Sequence, residues 1–162
     1  MAPLHHRFFD SPVGTLTLVA TDDALVGLSF PEHAGAPSWP SRPAPRHPVL
    51  ELAARELAAY FAGTLRAFTV PLDPQGTAVQ REVWDAVAAI PFGQTRAYGE
   101  IARALGRPRA ARAVGAANGR NPLSLLVPCH RVVGAHGALT GYAGGVSRKR
   151  WLLEHERHVC ES

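Results

Sequence analysis

The chain has little cysteine: Cys129 and Cys160 are the only two in 162 residues. Two thiols do not make a disulfide framework. No apolar run approaches the length of a membrane span, so no membrane partner is expected. The opening residues, MAPLHHRFFDSPVG, lack a secretory hydrophobic region, which makes a cytoplasmic protein the expectation. Lysine is nearly missing, with one against 16 arginines. What is present is ordinary for a soluble globule. Hydrophobic residues make up 46%, enough for a packed core, and the length suits one domain or two small ones sharing an interface.

Charge is unevenly spread. Residues 1–75 hold five arginines and seven acids, whereas residues 76–162 hold twelve basic side chains and six acids. Between Arg96 and Arg131 there are seven arginines and one acid, Glu100. This asymmetry points to a polyanionic partner for the second half, with a solvated basic face as the plain alternative.

The first half reads as strands followed by a helix. FFD, TLTLVA and ALVGLSF are rich in β-formers and are separated by the turn signals SPVG and TDD, which predicts an antiparallel meander. Residues 31–48 contain six prolines and read as a loop able to move. HPVLELAARELAAYFAG is an amphipathic helix with Leu50, Ala53, Leu57 and Phe61 on one stripe and Gly63 as its stop. FTVPL is read as a short strand, and a domain boundary is placed near residues 73–76.

The second half reads as helices. Thr77 and Gln80 form a capping box for a helix whose buried face is Val79, Val83, Trp84, Val87 and Ile90. A second helix is expected from Tyr98 to Leu105, and a third from about Arg109 to Asn118 across a Gly-Arg-Pro turn. Together they suggest a helix-turn-helix. The third, AARAVGAAN, offers Arg112 and little else to read bases. It suits either close, shape-directed approach to DNA or tight packing in a core.

Cys129 lies in SLLVPCHRVVGAHG. A nucleophilic cysteine needs a route to thiolate, and His130 and Arg131 are suitable neighbours. Adjacent residues in an extended strand face opposite ways, so His130 would reach the thiol only through a turn or a bridging water. Glu156 shares the apolar face of a C-terminal helix with Leu152 and Leu153 and needs a partner there. His130 is the candidate, giving a thiol, imidazole and carboxylate in series. A buried structural cysteine beside a core histidine is the alternative. Residues 118–122 and 141–145 carry glycine and asparagine turns that could shape a pocket.

Four segments then carry a resemblance: PCHRVVG (128–134), RAVGAANGRNP (112–122), GYAGG (141–145) and RKRWLLEHE (148–156). Together they closely resemble the O6-alkylguanine-DNA alkyltransferases, or methylated-DNA–protein-cysteine methyltransferases, of the short bacterial type. The resemblance is strong over 77–156 and looser before it. It implies a ribonuclease H-like α/β N-terminal domain with a small antiparallel sheet (1–75). A mainly α-helical winged helix-turn-helix domain (76–162) would carry the active site.

The resemblance also implies a reaction. The protein would bind double-stranded DNA containing alkylated guanine in the minor groove and flip the damaged base. Cys129 would take the alkyl group once and irreversibly, with O4-alkylthymine an open second substrate. In that scheme His130 acts on Cys129 through a water, Glu156 orients His130, and Asn121 braces the turn before the cysteine. Tyr98 contacts the base and helps guanine leave. Val132, Leu139, Tyr142, Ala143 and Lys149 fall at pocket positions. Arg112 fills the gap in the base stack, and the DNA-facing set adds Ala110, Ala111, Ala113, Gly115, Asn118, Arg120 and Arg131. No cofactor is implied. No metal is expected either, since the N-terminal half has no cysteine for the zinc site of some relatives. A monomer is expected, with cooperative binding on DNA left open. The competing readings are a non-catalytic sensor of alkylated DNA that recruits other repair factors, a winged-helix transcription regulator, and a thiol hydrolase. A pure sensor would not need Cys129.

Overall fold

The computed structural model describes residues 3–33 and 39–162. The expected meander is present. β1 (His5–Ser11) and β2 (Gly14–Ala20) form an antiparallel hairpin, and β3 (Leu25–Ser29) pairs antiparallel on the far side of β2. β2 is central, and its Leu16, Leu18 and Ala20 are buried completely. The proline-rich segment is not wholly loop. Arg42–Pro43 forms a two-residue strand, β4, parallel to β1 at the sheet edge. Arg42 N–H donates to Leu4 and Ala44 N–H to His6, so Pro43, which has no N–H, sits where none is needed. The mobility expected of this segment falls partly on residues 34–38, outside the described residues.

α1 (Pro48–Phe61) covers the sheet. Leu50, Ala53 and Leu57 are fully buried, as the stripe predicts, and each leucine contributes about 2 kcal/mol by leaving water. Tyr60 joins them in place of the half-buried Phe61. Gly63, at φ +83°, ends the helix in a conformation that other residues adopt at a cost.

FTVPL does not form a strand; only Leu72 makes an isolated bridge, to Leu25. The reason is Glu56, a buried acid on α1. Its carboxylate accepts from the Thr69 N–H at 2.9 Å, the Val70 N–H at 2.9 Å and the Thr69 hydroxyl at 2.6 Å. Those amides are taken by a side chain and are not free for a strand partner.

The second half is helical: α2 (Ala78–Ala88), α3 (Tyr98–Ala104), α4 (Ala111–Gly119) and α5 (Val146–Glu161). The Thr77–Gln80 capping box is formed. Val83, Trp84, Val87 and Ile90 are buried, but Val79 is 44% exposed. It lies in the first turn of α2, where the helix projects past the core. β5 (Arg96–Ala97) and β6 (Val132–Val133) form a short parallel ladder.

The two halves share one apolar cluster, running from Leu16 and Leu57 to Leu126, Val132 and Leu152. β3 binds both halves directly. Leu25 N–H donates to Pro71, and Leu28 N–H donates to Pro122, in the segment that leads to Cys129. No helix of the described residues is long and apolar enough to cross a membrane.

Replacing Glu56 by alanine leaves the 69–70 amides without their acceptor. Urea denaturation is expected to show a loss of about 3 kcal/mol, from two or more hydrogen bonds to a charged group. A loss below 0.5 kcal/mol (about the size of a neutral surface change) would mean that water replaces the carboxylate freely.

Candidate active site

The residues before Cys129 fold into a tight turn, and Asn121 holds it. Its Nδ2 donates to the Val127 carbonyl at 2.9 Å, while its Oδ1 accepts the Leu123 N–H at 2.9 Å. Leu125 sits at the apex with φ +76°, a conformation that costs a non-glycine residue about 1 kcal/mol or more. Its complete burial offsets this.

Cys129 is not on a strand. Cys129–Arg131 form one 3₁₀ turn, closed by Arg131 N–H donating to the Pro128 carbonyl at 2.9 Å. Such a turn has three residues per revolution, so the three side chains fan outward in different directions. On a strand His130 and Arg131 would face opposite ways, whereas on this turn both can meet one carboxylate. The thiol lies 3.6 Å from the Tyr142 hydroxyl and is 4% exposed. The imidazole and the guanidinium both reach Glu156.

Glu156, on α5, is the most densely bonded side chain of the site. Its Oε2 accepts from Tyr60 Oη at 2.6 Å, His130 Nε2 at 2.7 Å and Arg131 Nη2 at 3.0 Å. Its Oε1 accepts from Arg131 Nε at 2.8 Å and the Gly93 N–H at 3.2 Å. Burial opposes ionisation of this carboxyl. The hydrogen bonds and charges of His130 and Arg131 outweigh that, and hold its pKa well below the usual carboxylate range. Burial pushes His130 the other way, below its ordinary value, against the pull of Glu156 and with help from the charges of Arg131 and Lys149. Arg131 already neutralises Glu156, so a neutral imidazole completes the site without an extra buried charge. With Nε2–H given to Glu156, His130 Nδ1 carries the lone pair. This buried atom has no hydrogen-bond partner among the described residues.

The other expected residues are distributed around this centre. The β5–β6 register sets Arg96 opposite Val132 and Ala97 opposite Val133, and Tyr98 follows as the first residue of α3. The Tyr98 hydroxyl lies 3.0 Å from Thr140 Oγ1. Lys149 is fully buried and donates to the Val132 carbonyl at 2.6 Å, and its ammonium stands 5.9 Å from the Tyr142 ring centre. Burial lowers its pKa. Ala143 is half-buried in the loop after Tyr142. Gly144 permits the loop to dock: a Cβ there would come within 2.5 Å of the Phe30 ring. Leu139 faces a different space, a cavity of about 330 Å³ that it lines with Gly93, Thr95, Leu153 and Glu156.

On α4 Arg112 and Ala113 are exposed, as is Arg120 just after it, and Ala110, Ala111 and Gly115 are half-buried at or beside them. Two expected DNA-facing residues are not there. Asn118 is buried and its Nδ2 donates to the Cys129 carbonyl at 3.3 Å, tying α4 to the cysteine turn. Arg131 is buried in its ion pair with Glu156 and donates from Nη1 to the Ile90 carbonyl at 2.8 Å. It belongs to the site's interior and not to a phosphate-binding surface.

Sequence reasoning missed two contributors. Tyr60 comes from the N-terminal half; its place three residues after Leu57 on the α1 stripe was the available signal. Arg148 joins the halves by donating to the carbonyls of Val13 at 2.7 Å, Pro31 at 3.2 Å and Gly144 at 3.0 Å. Nothing in its local sequence marks it.

A buried cysteine whose two following side chains share one buried carboxylate, with exposed arginines on and just after α4, fits a class: thiol-based proteins that act on a polyanion. Comparison with known proteins gives the family. Residues 4–74 match the ribonuclease-like domain of 6-O-methylguanine DNA methyltransferase, and residues 78–158 match its DNA-binding domain. The methylated-DNA–protein-cysteine methyltransferase of Mycobacterium tuberculosis is 50% identical over 157 residues, covering 95% of this chain and 93% of its own. That of Methanosarcina acetivorans is 44% identical over 153 residues, covering 94% and 98%. The crystal structure of Mycobacterium tuberculosis OGT in complex with DNA superposes with a TM-score of 0.89 at 50% identity, covering 96% of this chain and 94% of that one. The chain belongs to the 6-O-methylguanine DNA methyltransferase family.

The site sets an acid limit on stability. The folded-state pKa of Glu156 lies below its unfolded value, so its contribution is present above about pH 4.3 and is lost as pH falls toward the folded value. The pKa of His130 is also lowered, so the unfolded chain takes up a proton first, below about pH 6.5. Unfolding free energy is therefore expected to be level above pH 7 and to fall from pH 6.5 downward. The slope approaches about 1.4 kcal/mol per pH unit for one imidazole, and steepens near pH 4. Urea titrations from pH 8 to 4 measure this. A level stability down to pH 5 would mean that His130 is already charged in the folded protein.

Proposed function

We infer that the chain repairs DNA directly, by moving the alkyl group of O6-alkylguanine in double-stranded DNA onto its own Cys129. The observation that carries this is the single turn that presents the Cys129 thiol while its neighbour His130 is held by Glu156, with Nδ1 left as the base. The thiol proton passes to His130 Nδ1 through a bridging water. The thiolate attacks the alkyl carbon, forming the C–S bond as the C–O bond breaks, and the electron pair leaves on guanine. Oxygen is a poor leaving group, so protonation of the base by Tyr98 completes the step. The thioether is stable, and each molecule acts once.

In this reading, residues 1–75 form the ribonuclease H-like domain and 76–162 a winged helix-turn-helix domain that lays α4 in the minor groove. The small face of Ala110, Ala111, Ala113 and Gly115 permits close approach without reading sequence. Arg112 occupies the space of the flipped base, and Arg120 with the other exposed arginines meets phosphates. The carbonyls of Cys129 and Val132 and the N–H of Ala143 receive the base, between Tyr98, Tyr142 and Lys149. The protein is a cytoplasmic monomer without cofactor.

The test is to incubate the protein with duplex DNA carrying one O6-methylguanine and to weigh it intact. One methyl on Cys129, capped at one per protein, is expected. Tight binding of the lesion with no change in mass would instead make it a sensor. Arg112→Ala is expected to slow transfer from duplex DNA by about tenfold, as the cost of an unfilled stack of order 1.4 kcal/mol implies. Reaction of its thiol with iodoacetamide should be unchanged, and an equal loss in both assays would place Arg112 in the protein's interior energetics.

A further inference from the structure

Glu156 is held from the N-terminal domain as well as from its own. Tyr60 lies on α1, within the ribonuclease-like domain, and is 1% exposed. Its hydroxyl donates at 2.6 Å to Oε2, the same oxygen that accepts from His130 Nε2. Its backbone carbonyl accepts from His155 Nε2 at 2.8 Å, which fixes the residue next to Glu156. The ring is caged by Phe61, Phe68, Phe92 and His155 at 5.1 to 6.0 Å, and Phe92 in turn lies beneath the Arg131 guanidinium.

A purely apolar contact would not need the hydroxyl, and phenylalanine would fill the same cage. The hydroxyl is spent wholly on the carboxylate. Burial and the neighbouring Glu156 raise the Tyr60 pKa, so it stays a protonated donor throughout the working range. The groups facing Glu156 are Tyr60 from α1, Gly93 N–H from the loop after α2, and His130 and Arg131 from the cysteine turn. Lys149 lies about two turns earlier on α5, and its charge acts on His130. Three donors therefore share Oε2. Removing one returns negative charge to the oxygen, and the imidazole is the partner able to respond by taking a proton.

We propose that Tyr60 is a positioning residue for the alkyl transfer. From the N-terminal domain it fixes the Glu156 carboxylate and shares its charge, so that His130 remains a neutral base toward Cys129. The proposal rests on the reading of His130 as that base. It makes the active site a property of both domains.

The test is Tyr60→Phe in the full chain, with Cys160→Ser in both proteins so that one thiol reports. Two rates are followed from pH 5 to 9: alkylation of Cys129 by iodoacetamide, and single-turnover methyl transfer from O6-methylguanine duplex. The acid limb of both profiles is expected to move up by about one pH unit, a tenfold loss on that limb, with affinity for DNA unchanged. Superimposable profiles would overturn the proposal and leave Tyr60 a packing residue. The iodoacetamide profile is independent of repair. If it shifts while even the parent protein transfers no methyl, the repair reading fails and the role of Tyr60 stands. If methyl transfer occurs and neither profile moves, only the role of Tyr60 fails. Should Tyr60→Phe not fold, imidazole ¹⁵N spectra of the parent protein decide. A neutral ring protonated at Nε2 at pH 7 is expected, and an imidazolium there would overturn the proposal.

Discussion

One carboxylate organises this molecule. Glu156 is buried on the inner face of α5 and takes five hydrogen bonds from four residues, drawn from α1, the loop after α2 and the cysteine turn. A buried anion is tolerable only when fully partnered, and here the partners are the parts that must be brought together. Arg131 supplies the charge that makes burial possible. His130 adds its imidazole, and Tyr60 and the Gly93 amide satisfy what remains. Losing any one donor leaves the others to carry a partly uncompensated charge. The same interaction therefore orders the site and joins the domains.

Much of the fold was legible because local signals and tertiary structure agree. The β1–β3 meander, the α1 stripe and the Thr77–Gln80 box each follow from periodicity or capping chemistry. The failures have identifiable causes. FTVPL has the composition of a strand, but Glu56 claims its amides, and no pattern of β-propensity reveals an acid thirteen residues earlier. Val79 continues the periodicity of α2 past the end of the core it packs against. β4 is too short to have a pattern.

The site divides in the same way. Cys129, His130 and Glu156 stand out in the sequence because a sparing cysteine, an adjacent imidazole and an acid on an apolar face are each unusual, and the structure brings His130 and Glu156 together. Arg131 and Asn118 were misplaced, since an arginine in a basic segment and an asparagine at a helix end look exposed by type. Only the three-dimensional structure shows that each serves the cysteine turn. Tyr60 and Arg148 act across the domain boundary, where one-dimensional spacing carries no information. Leu125 belongs here too: its left-handed backbone is compatible with leucine only because the apex of the turn is buried in the shared core.

The attachment of β3 to Pro122 has a further consequence. An edge strand with free amides and carbonyls is a template for pairing with another chain, and proteins avoid leaving one open. Here the exposed side of β3 is covered by the residues just before α2 and by those leading into the cysteine turn. The reactive segment thus doubles as the guard of the sheet. Displacement of residues 122–123 from β3 would uncover that edge and invite pairing with another chain.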